Sequence, residues 1–263
     1  MASLGASTRL YFDECRIMAI DMADMAGDLD FAEIWLCPPF FPKWRSDMMA
    51  RSLELAGEAL DSFGLFCTIH ASHHDINPAS LNPSVRRCAS QEILKVLDAG
   101  SALGASSVTF HPGRTDYDRL LSSEALRDWL IAMDGRVGND APRLCLENLA
   151  GGDGMCQTLD DMEAAVEGLE NIWVTLDIAH AHAMGWDPAE SVGILGARIG
   201  NVHVSALTGG RHVPFTEDRG TLVFLEALSD IGYDGTYVIE GAKDPVTESV
   251  GMQAESLKKM LGL

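Results

Sequence analysis

Short, nearly continuous apolar runs alternate with longer stretches of helical spacing along the whole chain. The runs stand at 31–36, 65–70, 107–111, 143–147, 172–177, 199–203 and 237–240. Continuous apolar character over 4–8 residues marks strands buried on both faces. A shorter run, Arg9–Phe12, supplies a candidate first strand. Between the runs, helical spacing predicts helices over 47–62, 84–103, 122–133, 159–168, 188–196, 221–232 and 245–261, with a Met/Ala-rich segment, Cys15–Ala26, between the first two strands. Gly64 and Gly104 stand where helices should close, and Thr158 where one should be capped. The proline-rich run 38–42 forces an irregular loop after the second strand.

Strict alternation, with no linker or shift in composition, predicts one domain over residues 1–263 built on a parallel sheet with right-handed crossovers. Eight strands in this length fit a single closed (β/α)8 TIM barrel of the α/β class. No GxGxxG loop follows the first strand, which argues against dinucleotide binding.

The chemistry collects at the ends of the predicted strands. The third to eighth runs end on His70, His111, Glu147, Asp177, His203 and Glu240, spaced by 41, 36, 30, 26 and 37 residues, about one βα unit each. In a barrel these positions share the C-terminal rim, where active sites form. All eight histidines (70, 73, 74, 111, 180, 182, 203 and 212) fall on strand ends or the segments after them, and none is expected within a helix. A lone strand-end histidine is more often a hydrogen-bonded structural group than a ligand. Three carboxylates and three imidazoles on one rim are different, because the carboxylates repel one another unless a cation sits between them. The residues therefore predict a divalent metal centre of one or two ions. Imidazole and carboxylate donors without sulfur suit Zn²⁺, Mn²⁺, Co²⁺ or Fe²⁺.

Charge and cysteine usage narrow the partners. With 39 acidic against 19 basic residues, the formal charge of −20 argues against nucleic acid. The six cysteines (15, 37, 67, 88, 145 and 156) are scattered with no CxxC pair, as in a reduced, cytoplasmic protein. No apolar run reaches the roughly 18 residues of a membrane span, and the N-terminus lacks a signal-peptide layout. Oligomeric state is open, a homo-oligomer included.

Several motifs resemble the xylose-isomerase-like barrels, a family of sugar and sugar-phosphate isomerases and epimerases that also includes the endonuclease IV repair enzymes. They are the HASHHDIN run at 70–77, HPG at 111–113, LEN at 146–148, LDIAH at 176–180, NVH at 201–203, GRHVP at 210–214 and the segment from IGYDG at 231–235 to Ile239-Glu240. The resemblance implies that Glu147, Asp177, His203 and Glu240 hold a shared metal. His70 and His111 match positions that bind a further ion in the endonuclease branch, and His180 and His212 match that branch's ligands for a third. Gly210 stands where that branch has an aspartate, and Val204-Ser205 follow His203 in place of Asn-Asp.

Two activities follow from the resemblance. One is metal-assisted isomerisation or epimerisation of a small sugar or sugar phosphate, with Glu147 and Glu240 moving a proton next to a carbonyl. His180, His212 and Arg211 would then contact the substrate. The other is metal-dependent phosphodiester hydrolysis at abasic sites in DNA, to which the rim loops bring few cations (Lys43, Arg45, Arg114, Arg211). Trp35 and Trp186 are candidates for an apolar wall or for core packing. Glu33 reads as either a substrate contact or an outward salt-bridge partner.

Overall fold

A computed structural model describes residues 1–14, 18–36, 46–115, 117–138, 140–216 and 218–263. In chain order the elements are β1 (Ser3–Ser7), α1 (Met18–Met25), β2 (Phe31–Leu36), α2 (Ser46–Phe63), β3 (Phe66–Ala71), α3 (Pro83–Leu103), β4 (Ser107–Phe110), α4 (Arg119–Asp134) and β5 (Arg143–Glu147). They continue with α5 (Leu159–Val166), β6 (Ile172–Asp177), α6 (Ile178–Ala183), α7 (Pro188–Leu195), β7 (Ile199–Val204), β8 (Ala206–Thr208), β9 (Arg211–Val213), α8 (Arg219–Asp230), β10 (Thr236–Ile239) and α9 (Val246–Leu261). Eight parallel strands close in the order β1-β10-β7-β6-β5-β4-β3-β2. This is the expected (β/α)8 TIM barrel. Among the described residues no helix is long and apolar enough to cross a membrane.

Local chemistry punctuates the barrel largely where the sequence indicates. Thr158 and Asp161 form a reciprocal capping box on α5. Gly64 and Gly104 sit at φ +67° and +68°, the left-handed conformation that ends α2 and α3. The proline-rich loop 38–42, Lys43, Arg45 and the start of the Cys15–Ala26 segment lie outside the described residues. Cys67, Cys145 and Cys156 are buried, and burial pushes the thiols of Cys67 and Cys145 up to about 12, while Cys88 is exposed. Cys15 and Cys37 lie outside the described residues.

Two expectations need correction, and one element lies beyond them. Arg9–Phe12 is not the first strand; it lies in a 3-10 helix over Thr8–Glu14, and β1 is the small-residue run before it. The cause is steric: Gly5 pairs with Phe31 of β2, and a Cβ at Gly5 would overlap the fully buried Phe31 ring. A bulky run cannot occupy that place. The histidines are also not confined to loops and strand ends, because His180 and His182 lie in the short helix α6. That helix forms because the strand-end carboxylate is its N-cap: Asp177 Oδ1 accepts from the His180 backbone N–H at 2.8 Å. Finally, the chain after β7 folds into an unpredicted hairpin, β8–β9, turned by Gly209 and Gly210 at φ +58° and +75°. Two adjacent positive φ values match the tight turn of a two-residue hairpin. Gly210 is therefore a turn residue, and a side chain there would be strained.

Filling the contact at Gly5 should be costly. Gly5→Ala is expected to lower stability by about 1–3 kcal/mol, the usual range for overpacking a filled core. Urea denaturation would check this, and an unchanged midpoint would show that β1 and β2 are not packed as described.

Candidate metal centre

The metal-ligating side chains come from neighbouring strands. Glu147, Asp177 and His203 end or nearly end β5, β6 and β7, and Glu240 follows β10 directly. These are four consecutive staves of the closed sheet, so the four side chains span half the rim. All four are buried, with Asp177 and His203 fully so. One donor atom from each lies within 4.8 Å of the others. His203 Nδ1 stands 3.2 Å from Glu147 Oε1 and 3.3 Å from Glu240 Oε2.

The opposite half of the rim adds two imidazoles to the same carboxylate. His70 Nε2 lies 3.3 Å and His111 Nε2 3.0 Å from Glu147 Oε2. His70 Nδ1 is 2.8 Å from the Ala71 carbonyl oxygen, which can only accept. Nδ1 therefore carries the proton, and in the neutral ring the Nε2 lone pair faces Glu147. His111 is set by the loop behind it. Asn77 bridges the β3 and β4 loops, accepting from the Arg114 N–H at 3.0 Å and donating to the Arg114 carbonyl at 2.9 Å. It also crowds Gly113 (φ +89°), where a Cβ would collide with Asn77 Oδ1, so the HPG run needs its glycine. His73 stacks on His111 with ring centroids 4.7 Å apart, and burial with the neighbouring histidines pulls its pKa down to about 2.

A further cluster joins Asp177, His180 and His212. Asn148 ties β5 to β6 by donating to the Asp177 carbonyl (3.0 Å) and accepting the Asp177 N–H (2.8 Å). Its own carbonyl accepts from His180 Nδ1 at 3.0 Å, which fixes that ring. His212 reaches the cluster on the hairpin, where Ser205 Oγ bonds its Nδ1 at 2.7 Å. Close packing against Gly241 seats the hairpin, since a Cβ there would strike the Val213 carbonyl. Arg211 is exposed on β9.

The electrostatics mark this as a strained charge cluster. Burial raises the cost of ionising Glu147, but His111 and His203 outweigh it and hold that carboxyl well below its usual range. Glu240 is likewise held low by His203 against burial. Burial pulls His203 down, yet Glu240, Glu33 and Glu147 raise it well above normal. Asp177 goes the other way: burial, reinforced by Glu147 and Glu240, raises it despite His180 and His212. Its Oδ2 is buried without a hydrogen bond, although His180 Nδ1, which bonds the Asn148 carbonyl, stands 3.2 Å away. A desolvated oxygen facing two other carboxylates is what a cation would satisfy, so the residues present fit a divalent ion.

The sequence model of the xylose isomerase-like TIM barrels matches residues 21–260. The chain belongs to that family. Among its relatives, the uncharacterized protein MJ1188 of Methanocaldococcus jannaschii is 25% identical over 265 residues, covering 94% of this chain and 93% of that protein. Two solved structures superpose on this xylose isomerase-like barrel over nearly its full length. A D-tagatose 3-epimerase-like protein does so with TM-score 0.83 at 22% identity, covering 99% of this chain and 98% of the other. The 3-keto-D-glucoside 4-epimerase YcjR of E. coli does so with TM-score 0.76 at 17% identity, covering 98% and 100%.

All six strand-end residues predicted from the sequence thus converge. Trp186 is buried, with Nε1 donating to the Gln157 carbonyl at 2.8 Å, and serves packing. Trp35 is 1% exposed and stacks on His70 at 4.0 Å between centroids, so it braces a rim histidine and offers no open wall. Glu33 is neither a substrate contact nor an outward ion pair. It is fully buried inside the barrel, with Oε2 3.1 Å from His203 Nε2. A charged residue inside an apolar run buried on both faces was the available signal.

In the metal-free protein, Asp177→Asn should stabilise the fold at pH 7. The raised carboxyl favours folding below its unfolded value, and that contribution is lost as pH rises through the raised folded value. The amide keeps the cap on α6 and has no charge to lose. Thermal denaturation should show the advantage shrinking as pH falls through the raised folded value toward the ordinary carboxylate range, and added Mn²⁺ should raise the midpoint of the wild type more than that of the variant. A metal-free variant less stable than wild type at pH 7 would contradict this picture of Asp177.

Proposed function

We propose that this protein is a divalent-metal-dependent isomerase or epimerase of a small sugar or sugar phosphate. The reading rests on one observation above the others: Glu147, Asp177, His203 and Glu240 place four donor atoms within 4.8 Å at the mouth of the barrel. Both superposed structures named above carry sugar-epimerase names, which supports the same class.

Glu147, Asp177, His203 and Glu240 would hold a divalent ion, which when bound would polarise a carbonyl and the hydroxyl beside it and so acidify the intervening C–H. The chain supplies the rest. Glu147 and Glu240 stand at the two ends of the four-strand arc, and both are held ionised, the state a proton acceptor needs. One, ionised, removes the carbon-bound proton; the other, having first taken up a proton from solvent, gives it to the opposite face, which inverts the centre, and the two carboxyls then return to their starting states by exchange with water. In an isomerisation the proton returns to the neighbouring carbon. His180, with Nδ1 committed to the Asn148 carbonyl, turns its remaining nitrogen to a substrate oxygen. His212 is set the same way by Ser205, and Arg211, exposed on the hairpin, would meet a phosphate or an outer hydroxyl.

One observation favours a second reading. His70 and His111 share Glu147 Oε2 with no role in a one-ion epimerase. A second ion between them would suit phosphodiester hydrolysis of the endonuclease IV kind. The charge of −20 and the turn glycine at 210 weigh against it.

Solvent deuterium exchange separates the two. Incubation of the Mn²⁺-loaded protein with D-tagatose and other ketoses in D₂O should place deuterium on one substrate carbon. Glu240→Gln should cut that exchange by about 10²- to 10⁴-fold, the usual worth of a positioned acid–base group, in a protein that stays folded. Full exchange in the variant would remove Glu240 from this role. Incision of abasic DNA, with no exchange on any ketose, would favour the hydrolase.

A further inference from the structure

Beneath the rim lies a polar layer that none of the catalytic roles above uses. Glu33 of β2 is completely buried, yet its two oxygens are treated very differently. Oε2 faces three donors: His203 Nε2 at 3.1 Å, Asn201 Nδ2 at 3.3 Å and Thr68 Oγ1 at 3.4 Å. Oε1 is buried with no partner. A half-satisfied carboxylate at the axis of a barrel destabilises the fold relative to an apolar side chain of the same size. Packing alone does not account for it.

The neighbours of Glu33 hold it in place. Asn201 Oδ1 accepts from Thr236 Oγ1 at 2.7 Å, and the second Asn201 amide contact is to Thr109 Oγ1 at 3.2 Å. Thr109 in turn bonds Thr175 Oγ1 at 2.8 Å. Among the described residues, six strands (β2, β3, β4, β6, β7 and β10) therefore contribute to one network, and it connects to the rim through one imidazole, His203. The two nitrogens of that ring have separate surroundings. Nε2 points inward to Glu33, and Nδ1 points outward to Glu147 and Glu240.

We infer that Glu33 is a positioning residue for the metal centre: by accepting the His203 Nε2–H, it orients the ring so that Nδ1 is the ligand atom. This inference rests on the metal-centre reading above. A carboxylate behind a ligating imidazole fixes the tautomer and raises the basicity of the donor nitrogen, and its loss commonly weakens metal binding ten- to a hundredfold. The network then has a purpose that packing lacks: it locks the carboxylate that locks the ligand.

The test uses Zn²⁺ as the probe on full-length protein stripped of metal. Competition with a chromophoric chelator should give the affinity order wild type, then Glu33→Gln, then Glu33→Ala, with the alanine variant about ten- to a hundredfold weaker than wild type. The glutamine variant keeps an acceptor for Nε2–H and the side-chain volume, so it should fall between the two and stay folded if alanine does not. A second readout is the proton spectrum of Zn²⁺-loaded, ¹⁵N-histidine-labelled protein. Wild type should show one exchange-protected, downfield Nε2–H signal that is absent from His203→Gln, and Glu33→Ala should lose it. Wild-type affinity and a retained signal in both folded variants would overturn the role of Glu33 and leave the metal centre standing. Failure of the wild type to bind Zn²⁺, Mn²⁺ or Co²⁺ at all would overturn both.

Discussion

Three carboxylates buried side by side at one end of a barrel repel one another, and everything at this rim is arranged around that repulsion. Glu147, Asp177 and Glu240 are nearly or wholly removed from water. Without an ion the protein answers with imidazolium: His203 is driven toward its charged form and Glu147 and Glu240 are kept ionised by it. Asp177 gains least from that exchange, which is why burial raises it and one of its oxygens goes without a hydrogen bond. A divalent cation bound at the rim would satisfy all four groups at once, with His203 neutral. The rim is thus a charge arrangement suited to a counter-ion, carried on the strands of one closed sheet.

The barrel makes this arrangement stiff. Contacts between neighbouring elements brace the rim: Asn148 clamps β5 to β6, Asn77 clamps the loops after β3 and β4, and the hairpin rests on Gly241. The polar layer at the axis does the same from below, through Glu33 and His203. Ligands drawn from four successive strands lie far apart in sequence but close in space, so their geometry follows from the register of the sheet more than from any loop.

Much of this was legible in the sequence because two simple rules coincide in a parallel barrel. Strands buried on both faces read as continuous apolar runs, and a polar residue at the end of each run must emerge at the same rim. That combination exposes Glu147, Asp177 and His203 directly. It fails where a strand is built for close approach. β1 is small residues facing the Phe31 ring, so its pattern is faint, and the bulkier Arg9–Phe12 run drew attention to a 3-10 helix. It also fails where one residue has two tasks. Asp177 ends a strand and caps a helix, so the histidines after it are helical although the apolar period gives no hint of α6. Glu33 was visible as a charge in an apolar strand, but its direction was not. Period-two alternation says that it lies on one face; only closure of the sheet shows that this face looks at His203.

The central claim is that these four side chains bind one ion together, and anomalous diffraction tests it most directly. Crystals grown with Mn²⁺ and measured at the manganese edge should show a peak about 2 Å from oxygens of Glu147, Asp177 and Glu240 and from Nδ1 of His203. No peak at the rim, or a peak bound by other side chains while these four point apart, would contradict it.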